Sequence, residues 1–323
     1  MRTPWPRCRA AKRPISAAEP TSGRPAPPSA AAGSDGPAQQ FSLGHTVLLG
    51  LVQGPAELLP ISSSGHVALI PWLARWPEAE LDGELRKALE VALHAGTVAA
   101  LLIGLRAEVL DTLRTLDKDH AALLTLSFIV PALAGLAFER PIERRLGTPG
   151  SVAGALAAGS AVMALADRFG STRRRRGHAG ALDGLLLGLA QAAALIPGVS
   201  RNGATLAVAR ARGIDRIAAN ALSRQVALPV IVGAAGLKGR RLAARGVERR
   251  TGRALGAGAG AAFLSTLGSI WLIGQVERDR SPMPYAVYRL CLAAIVVRRL
   301  REDGRVSRHT GATVDSAGPG GPG

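Results

Sequence analysis

Two charged residues stand deep inside runs that are otherwise apolar. Glu57 lies in residues 46–74, TVLLGLVQGPAELLPISSSGHVALIPWLA, and Arg201 lies in residues 182–209, LDGLLLGLAQAAALIPGVSRNGATLAVA. A charge at bilayer depth costs several kcal/mol, about 2.5–3.5 on insertion scales, so such a residue is read as functional by default. The bland alternative is a structural ion pair that locks the two segments together. The company argues against it. Gln53, Ser62, Ser63, Ser64 and His66 surround Glu57, and Ser200, Asn202 and Thr205 surround Arg201. One ion pair does not need that many polar groups.

These residue types have definite uses. A guanidinium matches phosphate oxygens bidentately, so Arg201 is a clamp for an anion. Gly198 and Gly203 let backbone N–H groups approach the same oxygens, besides interrupting the helix. Gln53 and Glu57 are four apart and share a helical face, an oxygen pair suited to a hard cation. Ser63 and His66 are three apart and become neighbours on a helix. A histidine beside a serine serves as base and then as acid; His66 could equally activate water while Ser63 only binds the anion. Ser62, Ser64, Ser200 and Thr205 can donate to phosphate, or cap helices. His94 and Thr97 face either a cavity or packing.

The elements that hold these residues repeat. At an offset of 138, Gly50 matches Gly188, Leu51 matches Leu189, Gln53 matches Gln191, Ala56 matches Ala194, Ser62 matches Ser200 and Gly65 matches Gly203. Gly54, Pro55 and Pro60 interrupt the first copy, and Pro197 and Gly198 the second. Paired apolar segments broken by Gly and Pro point to re-entrant helices that meet near the membrane midplane. Irregular backbone at that depth must be buried in protein or line a wet cavity. Residues 121–138, 147–166, 184–200 and 254–276 carry no charge, and 91–105 none apart from His94. A spanning helix needs roughly 20 such residues. A soluble bundle would show charges every turn along its wet face. The expected fold is therefore an all-α integral membrane protein, a polytopic helical bundle with inverted repeats and two re-entrant broken-helix segments. Residues 42–298 form the membrane-embedded domain, with tails at 1–41 and 299–323.

The charge fits that reading. The 323 residues hold 40 Lys and Arg against 23 Asp and Glu, a net charge of +17. For a soluble protein this would suggest nucleic acid, but there is no aromatic platform or binding motif to support it. The basic residues sit between the apolar runs, at Arg173–Arg176, Lys238–Arg253 and Arg298–Arg301, as cytoplasmic loops do. The acidic 77–87 segment and the balanced 276–283 segment then fall outside. Trp72 and Trp76 suit an interfacial anchor. Two cysteines, Cys8 and Cys291, exclude a disulfide framework.

Residues 53–66, QGPAELLPISSSGH, resemble the first signature of the bacterial BacA/UppP undecaprenyl-diphosphatases, and residues 197–205, PGVSRNGAT, resemble the second. The similarity spans roughly residues 43–298. It implies a site for undecaprenyl diphosphate, hydrolysed to the monophosphate to recycle the lipid carrier of cell-wall synthesis, with bacitracin resistance as a consequence. It implies a divalent cation, Mg²⁺ or Ca²⁺, on Glu57 with Gln53 as a further ligand. It implies Arg201 on the terminal phosphate, Ser63 as nucleophile and His66 as its base. Gln53, Ser62, Ser64, Gly198, Ser200, Asn202, Gly203 and Thr205 would bind substrate. The setting is the bacterial plasma membrane, multi-pass, with the site on the outer side and no nucleic-acid partner; a homo-oligomer is compatible with it. The family often has Glu at position 53, Ser at position 202 and an apolar residue at position 224. A transporter or flippase using the same cavity is the competing function.

Overall fold

The structure, a computed structural model, describes residues 41–170, 179–245, 249–276 and 281–315. Among these residues the secondary structure is helical. The first half of the chain holds α1 (Leu43–Leu58), α2 (Ser63–Ala74), α3 (Gly83–Gly104), α4 (Arg106–Arg114), α5 (Lys118–Leu146) and α6 (Pro149–Phe169). The second holds α7 (Ala181–Ala193), α8 (Arg201–Ala211), α9 (Arg216–Arg245), α10 (Arg249–Val276) and α11 (Met283–Asp315). Helices α3, α5, α6, α9 and α10 are long and apolar enough to cross a membrane. The longest of the four short helices α1, α2, α7 and α8 has 16 residues. At 1.5 Å per residue such a helix reaches about 24 Å, short of a hydrocarbon core of about 30 Å.

The repeat seen in the sequence is kept in the structure. Helices α1 and α7 begin 138 residues apart, and so do α2 and α8. Each pair turns on a serine with positive φ, 76° at Ser62 and 68° at Ser200. Each serine Oγ then caps the helix it starts, accepting from Gly65 N at 3.3 Å and from Gly203 N at 3.2 Å. A non-glycine residue at such angles costs on the order of 1–3 kcal/mol and persists only where its surroundings dictate it. Here it reverses the chain inside an apolar layer and leaves no gap before the next helix.

The first helix of each pair leans on a long helix from the other half. Helix α1 packs on α10, and α7 packs on α5. Glycines at the same repeat position allow the contact: a Cβ at Gly50 would strike the main chain of Gly258, and one at Gly188 would lie 2.7 Å from the Leu126 carbonyl. Close backbone approach through small residues is how helices associate in lipid. Around α1 the core is Leu49, Leu89, Leu93 and Leu255. Around α7 it is Leu123, Leu187, Leu206 and Leu222. Helices α6 and α11 pack together; α8 lies on α6, and α2 touches both.

Three boundaries differ from the sequence reading. The expected tail from residue 299 is helical as far as Asp315. Its first turns are supported by i,i+4 pairs, Arg298–Glu302 at 2.9 Å and Arg299–Asp303 at 3.7 Å. Phe41, placed in the first tail, is buried in the core around α1; residues 1–40 and the Arg173–Arg176 block lie outside the described residues. The acidic 77–87 segment is not wholly a solvated loop. Glu78 is buried and accepts from Ser42 N and pairs with His45 Nδ1, and His45 stacks on Trp76 at 3.9 Å. Those contacts fix the start of α1.

Candidate active site

The two serine turns meet. A Cβ at Gly65 would lie 3.6 Å from Gly198 Cα. Glu57, in the last turn of α1, points across this junction with its side chain 2% exposed. Arg201, the first residue of α8, donates Nη2 to Glu57 Oε1. Ser63, the first residue of α2, donates Oγ to Glu57 Oε2 at 2.6 Å. In repeat register Ser63 and Arg201 are the same position, so equivalent residues of the two halves converge on one carboxylate. Gln53 Nε2 also donates to Oε2, at 3.2 Å, and His94 Nε2 on α3 stands 3.6 Å away. His94, left between two readings by the sequence, thus belongs to the site. Thr97 is packed, with Thr266 Oγ1 donating to its Oγ1 at 3.4 Å.

A cleft opens beside this pair. Glu57, Arg201, Asn202, Ser223 and Arg224 form its polar end, and Leu58, Leu101, Leu105, Leu228 and Ile231 its apolar walls. Arg201 keeps 21% of its side chain exposed, against 2% for Glu57.

Several residues assigned from sequence do other work. His66 makes no hydrogen bond to Ser63. Its Nδ1 lies 2.7 Å from Ser62 O and its Nε2 lies 2.7 Å from Tyr288 Oη. A carbonyl only accepts, so Nδ1 carries the proton, and the neutral Nε2 accepts from the tyrosine. The hydroxyl partner at the first turn of α2 is Glu57, because α1 ends with its carboxylate facing that turn. Ser62 and Ser200 cap helices. The Gly203 amide is used by the Ser200 cap. At Gly198, with φ 101°, a Cβ would meet the Val152 carbonyl at 2.6 Å, so this glycine permits α6 to pack. Thr205 is fully buried, with Oγ1 on Arg201 O at 2.9 Å and Ser223 Oγ at 2.5 Å. Asn202 Nδ2 donates to Leu58 O, and its Oδ1 accepts from Ser223 Oγ at 2.6 Å. Ser64 is half-buried beside Ser63.

Sequence reasoning passed over Arg289 and Tyr288 on α11. Arg289 is fully buried, and its guanidinium takes main-chain carbonyls from both turns: Gly198 O at 3.0 Å, Val199 O at 2.8 Å and Pro60 O at 3.4 Å. It ties the two repeats together from behind the site. The signal was present, a single charge within an apolar stretch, but it lies outside both repeats and just before the Arg298–Arg301 block.

Oxygen donors for a hard cation exist but do not form a cage. Among the described residues, no three His, Cys, Asp or Glu side chains gather as a metal site. Gln53 Oε1 is buried without a hydrogen-bond partner, one helical turn from the Glu57 carboxylate. Mg²⁺ is commonly bound by one or two carboxylates plus substrate phosphates, and this donor set fits such partial ligation.

Fold and site together define a polytopic membrane protein in which two broken-helix repeats close a buried carboxylate–guanidinium pair beside an apolar cleft. The family described as bacitracin resistance protein BacA matches residues 46–295. An undecaprenyl-diphosphatase of Pelobacter propionicus is 35% identical over 270 residues, covering 80% of this chain and 97% of that protein. One of Geobacter metallireducens is 34% identical, covering 78% and 96%, and one of Thermomicrobium roseum is 35% identical, also covering 78% and 96%. The chain belongs to the BacA family.

Proposed function

We infer that this chain hydrolyses undecaprenyl diphosphate to undecaprenyl phosphate and inorganic phosphate. It thereby returns the lipid carrier to cell-wall synthesis and lowers sensitivity to bacitracin. Family membership supports the reaction. The observation that carries the site is the convergence of Ser63 and Arg201 on Glu57 beside a cleft with an apolar wall.

The residues then divide the chemistry. Arg201 turns from Glu57 to the oxygens of the terminal phosphate and neutralises part of its charge. Ser63 Oγ attacks the terminal phosphorus, and its proton passes to Glu57 Oε2. The bond from phosphorus to the bridging oxygen breaks, and undecaprenyl phosphate leaves with that electron pair. Water then attacks the phosphoserine, the bond from phosphorus to Ser63 Oγ breaks, Glu57 returns its proton to that oxygen, and both protons of the water leave on inorganic phosphate. Glu57 and Gln53 Oε1 would hold a divalent cation, Mg²⁺ or Ca²⁺. When bound, that cation supplies positive charge against the phosphate oxygens. His66 holds the start of α2 in place and takes no proton from Ser63. Recycling after wall polymerisation places the cleft on the outer side of the plasma membrane.

The test is phosphate release from undecaprenyl diphosphate by the detergent-purified protein, with and without Mg²⁺ or Ca²⁺, beside Arg201→Ala and Ser63→Ala. Cation-dependent release that is lost in both variants is expected. A folded wild type that moves the lipid diphosphate across vesicles and releases no phosphate would establish transport instead.

A further inference from the structure

The reaction leaves His94 without a task. It lies in the middle of α3, and a histidine within a spanning helix marks a function more often than packing. Its Nδ1 is 2.8 Å from Glu90 O. A carbonyl only accepts, so Nδ1 carries the proton of the neutral ring and Nε2 offers a lone pair. Nε2 stands 3.6 Å from Glu57 Oε2, beyond a hydrogen bond. Two acceptors thus approach each other, which is unfavourable unless positive charge comes between them.

A second unmet group sits at the same oxygen. Gln53 Nε2 donates to Glu57 Oε2 at 3.2 Å, and Oε1 on the same amide carbon is buried without a partner. Turning that amide over exchanges its two atoms and brings Oε1 to the carboxylate. Oε2 is therefore approached by an imidazole nitrogen from α3 and an amide from α1. Metal–nitrogen and metal–oxygen bonds are each about 2.1 Å, so one ion can hold two atoms up to about 4.2 Å apart. Metal-binding histidines commonly donate their other ring N–H to a main-chain carbonyl, as His94 does to Glu90. Both helices also rest closely on α10: a Cβ at Gly54 would strike the main chain of Ser265, and one at Gly96 the Ala259 carbonyl. Ligands from α1 and α3 are thus held on one support.

We propose that His94 Nε2 is a ligand of the divalent cation, beside Glu57 Oε2 and Gln53 Oε1. This rests on the reading that the site binds a cation at Glu57. A nitrogen ligand also sets a preference. Oxygen donors alone suit Mg²⁺ and Ca²⁺, whereas imidazole raises affinity for first-row transition ions. The competing account puts a proton on Nε2, which makes His94 a second cation on Glu57 beside Arg201.

The experiment uses the full chain in detergent, without substrate, and Mn²⁺ as the paramagnetic probe. Pulsed electron paramagnetic resonance reads a nitrogen bonded to the ion. Protein grown with isotope-labelled histidine tells an imidazole from an amide, and this arm needs no variant. Wild type is expected to bind Mn²⁺ with a nitrogen coupling that changes on labelling. His94→Gln should lose that coupling and at least about tenfold in Mn²⁺ affinity, with a smaller change in Ca²⁺ affinity. His94→Asn repeats the assignment should the glutamine variant fold poorly. Glu57→Gln should lose binding of both ions. Glu57-dependent Mn²⁺ binding with no histidine coupling, or with one that survives in the His94 variants, would overturn the proposal and leave the cation on Glu57. Mn²⁺ binding that Glu57→Gln does not weaken, or no binding at all, would overturn it together with the cation reading.

Discussion

Arg201 and Glu57 are 144 residues apart in the chain, and their ion pair joins the start of α8 to the end of α1. It is thus both a fastening between repeats and the centre of the site. The two roles can be separated. Removing one partner of a buried pair leaves the other charge uncompensated and costs about 3–5 kcal/mol, whereas replacing both with neutral residues of similar volume is close to neutral. Arg201→Met and Glu57→Gln singly should lower the unfolding temperature and abolish phosphate release. The double variant should regain stability and remain inactive. Recovery of activity along with stability would reduce the pair to a fastening.

Ser63 gives the second prediction. Its Oγ has one acceptor, Glu57 Oε2 at 2.6 Å. A serine that forms a covalent intermediate leaves a trace that a phosphate-binding serine does not. Rapid quenching with lipid labelled in the terminal phosphate should trap label on the protein, absent in Ser63→Ala, with turnover reduced at least about a hundredfold. Label-free protein during steady turnover would assign the attack to water.

His66 and Tyr288 make the third. If the histidine only braces α2 against α11, His66→Gln and Tyr288→Phe remove the same bond. Each should cost about 1 kcal/mol of stability and a few-fold in rate, and the double variant should be little worse than either. If His66 were the base, its variant would lose at least about a hundredfold while Tyr288→Phe stayed mild.

Arg289 is the fourth case. Its planar fork reaches carbonyls of Pro60, Gly198 and Val199 together, so one side chain sets the spacing of the two turns. Arg289→Met leaves buried acceptors without donors, at roughly 1–3 kcal/mol each. Arg289→Lys restores charge but not the fork. Both variants should therefore be destabilised and slow. A fully active lysine variant would show that charge alone suffices there.

How much of this was legible beforehand follows from the kind of signal each residue leaves. The re-entrant pairs were legible because Gly and Pro break apolar runs in register, and the structure keeps the 138-residue offset to the residue. Glu57 and Arg201 were legible because charge within an apolar run is rare. Their company was less so. Sequence spacing put His66 beside Ser63, but its ring bonds to Ser62 O across the first turn of α2 and to Tyr288 on α11, which no local pattern reveals. Ser62 and Ser200 were readable as phosphate donors or as helix caps, because both tasks use the same residue type, and in the structure each caps the helix it starts. His94, Arg289 and Tyr288 reach the site through long-range packing, and one sequence alone does not encode that packing as spacing.

Gln53 carries the last prediction. It sits one turn before Glu57, its Nε2 on that carboxylate and its buried Oε1 without a partner. Its repeat counterpart Gln191 also has an unpartnered Oε1, but its Nε2 is bound to carbonyls of Ser127 and Val226 and no carboxylate matches Glu57. Only the first repeat therefore offers an amide oxygen and a carboxylate together. Gln53→Glu would place two carboxylates on one face. Without cation they repel, so the variant should unfold at a lower temperature than wild type. With Mg²⁺ or Ca²⁺ the added charge strengthens binding, so the rise in unfolding temperature on adding cation should be larger than in wild type. Thermal unfolding across a cation titration reads both effects without relying on turnover. An equal rise in the two proteins would place any cation away from Gln53. A loss of stability that cation does not reverse would mean that the glutamine serves only to hold the Glu57 carboxylate.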